Sequence, residues 1–182
     1  MNSVRIIGGK WRSRKIHFGD NSALRPSPDR VRETIFNWLA TDLIEANCLD
    51  LFSGSGVLGF ETLSRGAASV TFVERDLATF RQLKKAAQEL GAESAAIFYL
   101  EDALKWLAHK PMQQFNIVFL DPPFNQGLLE KSLQLLQEND WLAKDALIYV
   151  EMERNLDLIL PNGWEWLRQK STQQIEYGLI AV

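Results

Sequence analysis

From Cys48 to Val150 the chain alternates short apolar runs with stretches of helical spacing, and no other feature restricts its fold as much. "CLDLF" (48–52) is a β-prone run, a glycine loop follows, and Val57 to Arg65 reads as a helix that ends before Gly66. "SVTFVE" (69–74) is a second run. Phe80, Leu83, Ala87 and Leu90 then recur at helical spacing until Gly91 stops them. "AAIFYL" (95–100), a helix around Ala103–His109, "FNIVFL" (115–120), a helix from about Leu128 to Glu138, and "ALIYV" (146–150) continue the series. Strands separated by helices need crossover connections, so the spacing predicts a mostly parallel, doubly wound α/β sheet of Rossmann-like architecture. The tail differs: "GWEWLRQK" and "QQIEYGLIAV" have no helix between them and are expected as an antiparallel strand pair at the sheet edge.

The N-terminal part is of another kind. In "VRIIGGKWRSRKIHF" β-prone runs flank Gly8-Gly9, a short-hairpin signal, and a strand over 10–16 would set Lys10, Arg12 and Arg14 on one face. "RPSPDRVRETIFNWLA" predicts a helix with Ser27 as N-cap, Pro28 at the first position, Asp29 in the first turn, and Val31, Ile35 and Trp38-Leu39 on one stripe. The expected division is a hairpin arm over 1–24 and a single α/β domain over 25–182, within reach of one core at 46% hydrophobic content. No apolar run approaches the ~20 residues of a membrane span, and no signal-like stretch opens the sequence, so a cytoplasmic protein without a membrane partner is expected. Cys48, the single cysteine, has no disulfide partner and no metal-ligand companions; it is expected in the core, with no metal site.

Charge is unevenly placed. The net charge is −3, yet residues 1–33 hold eight Lys/Arg (Arg5, Lys10, Arg12, Arg14, Lys15, Arg25, Arg30, Arg32) against three acids. A basic N-terminal arm on an acidic body fits a polyanionic partner as well as it fits a merely solvated face.

Ligands of doubly wound sheets bind at the carboxyl ends of the strands. The first strand of the alternation runs into "LDLFSGSGVLGFET", where Gly54, Ser55, Gly56 and Gly59 spell G-x-G-x-x-G at a helix start. Glu74 ends the second strand, placed to accept from ribose hydroxyls, and Asp102 follows the third, placed to accept from an adenine amino group. Asp50 and Phe52 precede the glycine loop. A carboxylate there suits a ligand bearing an ammonium and a sulfonium better than a diphosphate, which favours S-adenosyl-L-methionine over a nicotinamide dinucleotide. The fourth strand ends in "LDPPF": Asp121 offers carboxylate acceptors, Pro122 and Pro123 stiffen the turn and lack N–H donors, and Phe124 offers a ring for stacking. Acceptors that grip both N–H bonds of an exocyclic amine draw its delocalised lone pair back onto nitrogen and aim it at a methyl group.

"DPPF" with "LDLFSGSGVLGFE" resembles the amino-methylating class I methyltransferases that use S-adenosyl-L-methionine. "RIIGGKWRSRKI", "LRPSPDRVRETIFNWL", "LDLFSGSGVLGFETLSRGA" and "DPPF", in this order, resemble the RsmD-type 16S ribosomal RNA guanine-N2 methyltransferases from about Val4 to Leu179. Ser53 departs from the Ala expected of that family. The resemblance implies methylation of a guanine N2 amine in 16S rRNA of an assembled or assembling small ribosomal subunit, by a monomer that releases S-adenosyl-L-homocysteine. By position, Asp50, Phe52, Gly54, Gly56, Glu74 and Asp102 would hold the cofactor, and Asp121, Pro122 and Phe124 the guanine amine. Arg5, Lys10, Arg12, Arg14, Lys15 and Arg30 would meet phosphates, with Trp11 stacking on an unpaired base. Arg25 and Arg32 have no assigned role, and His17 and His109 are expected at the surface. Alternatives are the same chemistry on DNA adenine or protein glutamine, a nicotinamide-dependent dehydrogenase, and a non-catalytic RNA-binding protein of ribosome assembly.

Overall fold

A computed structural model describes residues 2–19 and 27–182; the expectation for Arg25 and the boundary at 24/25 lie outside them. Along the chain come β1 (Asn2–Arg5), β2 (Lys15–Phe18), α1 (Asp29–Trp38), β3 (Asn47–Asp50), α2 (Val57–Ser64), β4 (Ser69–Glu74) and α3 (Leu77–Leu90). They are followed by β5 (Ala96–Leu100), α4 (Ala103–Leu107), β6 (Phe115–Leu120), α5 (Leu128–Glu138), β7 (Leu142–Glu153), β8 (Glu165–Ser171) and β9 (Ile175–Ala181). Seven strands form one sheet in the order β5-β4-β3-β6-β7-β9-β8. The first five in that order are parallel, while β9 runs antiparallel to both β7 and β8. The chain steps outward from β3 to β5 and then returns to place β6 on the other side of β3, which makes the β3/β6 boundary the switch point of strand order.

The two-residue period of a strand sorts side chains onto two buried faces. Cys48, Phe72, Ile117, Phe119 and Tyr149 pack beneath α1, α2 and α3, whereas Leu49, Val73, Val118, Leu120 and Val150 pack beneath α4 and α5.

The arm is not the compact hairpin its glycine pair suggests. β1 and β2 do pair antiparallel, from Asn2↔Phe18 to Arg5↔Lys15, but residues 6–14 form a long connection with a 3-10 turn at Gly9–Trp11. Lys10, Arg12 and Arg14 therefore do not share a strand face. The glycines serve close approach: a Cβ on Gly9 would lie 1.9 Å from the Ser64 carbonyl oxygen, and one on Gly8 2.3 Å from the Arg65 guanidinium. The connection thus lies flat on the C-terminal end of α2. Ile6, Trp11 and Ile16 enter the same core cluster as α1, α2 and α3.

Arg32, fully buried, locks this arrangement. Its guanidinium donates to the carbonyls of Ser27 and Arg5 and to Asp29 Oδ1 at 2.6 Å, and stands 3.5 Å from Glu61 Oε2. Glu61 accepts in turn from the Ile7 N–H at 2.7 Å and from Arg65 Nε at 2.8 Å. The arginine is structural. Ser27 does not cap α1 either: Pro28 occupies the cap position, and the Ser27 hydroxyl donates to Glu151 Oε2 at 2.6 Å.

Candidate active site

The carboxyl ends of β3, β4, β6 and β7 open into a cavity of about 1190 Å³, roofed by the start of α1 and by the turn between β8 and β9. Strand register sets its floor. Asp50 pairs with Phe72 and with Phe119, and Leu120 with Val150. Two residues beyond Phe72 stands Glu74, two beyond Phe119 stands Asp121, and beside Asp121 stands Glu151, so the two-residue period turns all four carboxyls to one face. Across β4, β3, β6 and β7 this makes a row of acids, Glu74, Asp50, Asp121 and Glu151, all lining the cavity.

Each acid is held differently. Asp50 is buried and accepts from the Gly59 N–H in the first turn of α2 at 3.1 Å. Burial pushes its carboxyl up to about 8; the Gly59 hydrogen bond opposes the shift and the charge of Glu74 adds to it. Glu74 accepts from the N–H groups of Gly54 and Asp76, which ties the glycine loop to the end of β4. Asp121 is raised well above the usual carboxylate range by burial, then by the charges of Glu151 and Asp50. Glu151, 5% exposed, is raised by burial, while hydrogen bonds from the hydroxyls of Ser27 and Tyr149 (2.9 Å) to its Oε2 oppose the rise. Four acids on one low-dielectric face favour cationic groups and N–H donors.

The glycine loop plays two parts. Gly54 (φ +50°) and Gly56 (φ +73°) adopt the left-handed conformation that lets the loop turn into α2. Gly56 and Gly59 also admit neighbours. A Cβ on Gly56 would come within 2.4 Å of Leu83 Cδ2, and one on Gly59 within 2.2 Å of the Phe72 ring. The sequence spacing pointed to ligand approach alone; packing of α2 onto the sheet is an equal reason for it.

Of the other expected residues, Phe52, Asp102, Pro122 and Phe124 line the cavity, Phe124 with 36% of its surface exposed. Asp102 doubles as N-cap of α4, its Oδ1 accepting from the N–H groups of Leu104 and Lys105. Arg30 stands exposed at the cavity mouth, and Arg5 is paired with Asp29 at 2.9 Å nearby.

The rest of the basic set lies elsewhere. Trp11 is 7% exposed in the core, so the expectation that it stacks on an unpaired base is corrected: its ring supports α2 instead. The Trp11 backbone N–H donates to Ser64 Oγ, in the last residue of α2. Arg14 donates to the Glu89 carbonyl in the last turn of α3. Both helices start at the cavity, so Lys10, Arg12 and Arg14 stand about a helix length, on the order of 12–20 Å, from it.

Sequence reasoning passed over Glu151, Ser27, Tyr149 and Lys170, the last exposed at the cavity mouth. A signal for Glu151 existed. "ALIYVEM" ends an apolar strand in an acid just as "FNIVFLD" does, and the same question asked of the fifth parallel strand would have found it.

A family model described as "Conserved hypothetical protein 95" matches residues 4–181. "Ribosomal RNA small subunit methyltransferase D" of Escherichia coli (strain K12) is 49% identical over 177 residues, 97% of this chain and 88% of that protein. A solved structure described as "Putative methyltransferase yhhF from Escherichia coli" superposes with a TM-score of 0.92 at 48% identity, covering 99% of this chain and 98% of that one. The fold alone is shared with an RNA methyltransferase from Salinibacter ruber solved in complex with S-adenosyl-L-homocysteine (TM-score 0.67, 17% identity, 87% and 94% of the two chains).

Proposed function

The chain belongs to the family described as conserved hypothetical protein 95, and from that membership and its acid-lined cavity we propose that it is a ribosomal RNA methyltransferase. S-adenosyl-L-methionine is the methyl donor, and the N2 amine of a guanine in 16S rRNA the acceptor. The observation that carries this reading is the continuous row of carboxyls from Glu74 to Glu151 on one face of the sheet. A row of acceptors is the reverse of what a dinucleotide pyrophosphate requires and suits a cationic nucleoside followed by an amine-bearing base.

The residues fit the cofactor. Glu74 and Asp102 keep acceptor capacity for ribose and adenine beyond their backbone bonds, Phe52 lines the pocket wall, and Asp50 stands beneath the place for positive charge. When bound, S-adenosyl-L-methionine supplies a methyl group on a sulfonium whose departure leaves a neutral thioether. At the acceptor end Asp121, with the carbonyls of the Asp121-Pro122 turn, grips the amine N–H bonds and directs the nitrogen lone pair. The proton lost once nitrogen is methylated passes to Asp121 and then to water. Phe124 holds the base by stacking. Proximity and orientation supply most of the rate, because the methyl group arrives activated. Arg30, Arg5 and Lys170 meet phosphates beside the target, while Lys10, Arg12, Arg14 and Lys15 reach RNA farther along the body.

The test is methyl transfer from labelled S-adenosyl-L-methionine to unmethylated bacterial small subunits, free 16S rRNA, duplex DNA and protein, followed by nucleoside analysis. N2-methylguanosine from ribosomal RNA is the expected product; label confined to DNA or protein overturns the substrate. Asp121→Ala should lose at least about a thousandfold in kcat with cofactor affinity kept within about threefold, and joint loss of both removes Asp121 from the assigned role.

A further inference from the structure

Glu151 is buried, lines the cavity, stands on the strand next to Asp121, and has no part in methyl transfer as described above. Parallel neighbours lie about 4.8 Å apart, so two carboxyls at matched positions can converge on one edge of one base. The Watson–Crick edge of guanine carries two adjacent donors, N1–H and N2–H. Adenine and 2-aminopurine carry a lone pair at N1 instead.

We propose that Glu151 is the residue that selects guanine, accepting the N1–H of the target base while Asp121 accepts from its N2 amine. The inference rests on the methyltransferase reading given above. Among the described residues, Ser27 Oγ and Tyr149 Oη both donate to Oε2, at 2.6 and 2.9 Å, and none bonds Oε1, which is the oxygen offered to the base. Tyr149 stays protonated for this task, its hydroxyl raised well above its ordinary value by burial and then by the charge of Glu151. A base presenting a lone pair at N1 would set it against a buried carboxyl oxygen, with neither group able to reach water.

The same anchoring predicts the behaviour of Glu151→Gln. With both hydroxyls donating to one oxygen, the amide carbonyl takes the Oε2 position and its NH2 group faces the base. That donor opposes guanine N1–H and complements the N1 lone pair of 2-aminopurine, which retains the N2 amine and so remains a possible acceptor of methyl.

The experiment uses small subunits reassembled on rRNA ligated to carry guanine or 2-aminopurine at the nucleotide mapped by the assay above. Wild-type protein is expected to prefer guanine by at least about a hundredfold in kcat/KM, as sites built to hydrogen-bond a substrate group do. Glu151→Gln is expected to narrow that ratio at least tenfold, by losing activity on guanine and gaining it on 2-aminopurine. A purely structural role would lower both rates and leave the ratio where it was, which overturns the proposal. Should the variant fail to fold, the wild-type ratio decides alone, and a preference under tenfold overturns it. Absence of any methylation of guanine-bearing rRNA by wild-type protein would instead sink the underlying function.

Discussion

Asp50 holds its proton because burial disfavours the charged carboxyl, and a cationic ligand in the cavity it lines would favour that charged form. With its carboxyl at about 8, most molecules are protonated there at neutral pH. A sulfonium and an ammonium nearby favour the ionised form and pull that value down. Binding must therefore release a proton below pH 8, so affinity for S-adenosyl-L-methionine should rise between pH 6 and 8, by up to about tenfold per unit, and flatten above. Calorimetry in buffers of different ionisation enthalpy measures the proton directly. Asp50→Asn should abolish both the release and the slope; a wild-type affinity independent of pH would show that Asp50 does not face the charge.

Elements were legible where local pattern and tertiary need agree. The five parallel strands, their helices and the Gly91 stop of α3 stand where apolar periodicity puts them, because β3, β4, β6 and most of β7 are buried on both faces and α3 and α5 on one. β7 runs from Leu142 to Glu153, well past the apolar "ALIYV", because pairing with β9 continues through Glu153 whatever its side chains are. The arm was misread because Gly8 and Gly9 answer to Ser64 and Arg65, residues more than fifty positions away, and no local rule contains that contact. Asp50, Glu74 and Asp121 could be picked out as acids at strand ends, but Glu151 needed the register between β6 and β7, and the role of Arg32 needed three elements at once. At this scale α2 offers a clean test. Gly59→Ala improves helix propensity by about 1 kcal/mol, yet its methyl would lie 2.2 Å from Phe72 Cε1 and 3.1 Å from Asp50 Oδ2. Overpacking costs about 1–3 kcal/mol, so urea unfolding should show net destabilisation, together with weaker cofactor binding as Asp50 is displaced. A stabilised variant would mean that α2 is free to shift off the sheet.

Across the whole molecule the acids act in concert. Asp50, with its carboxyl at about 8, keeps a proton in the folded state that the unfolded chain releases near pH 4, and burial shifts Asp121 and Glu151 in the same direction. Between about pH 4 and 8 the unfolded state binds fewer protons, so stability falls as pH rises. Asp29 and Asp76 are shifted the other way and are ionised in both states above about pH 5.5, so they add no slope there. Differential scanning calorimetry of ligand-free protein should record a Tm lower at pH 8 than at pH 5.5, by about 5 °C or more, and S-adenosyl-L-methionine should restore more of it at the higher pH. A Tm that climbs over that range would contradict the pairing of burial with charge described for these acids. The acid row also has a bearing on how such a protein can change over generations. Its members come from four strands and meet only because the registers that set Asp50 against Phe72 and Phe119, and Leu120 against Val150, keep all four positions on one side of the sheet. Loss of one codon within β6 would leave a strand just as apolar and just as able to pair, but would turn Asp121 to the opposite face of the sheet. Substitutions can be tried one side chain at a time, whereas a change of length in β3, β4, β6 or β7 dismantles the site at a stroke. Insertions and deletions are therefore tolerable in loops, and the four strands are held to fixed length by chemistry as well as by packing.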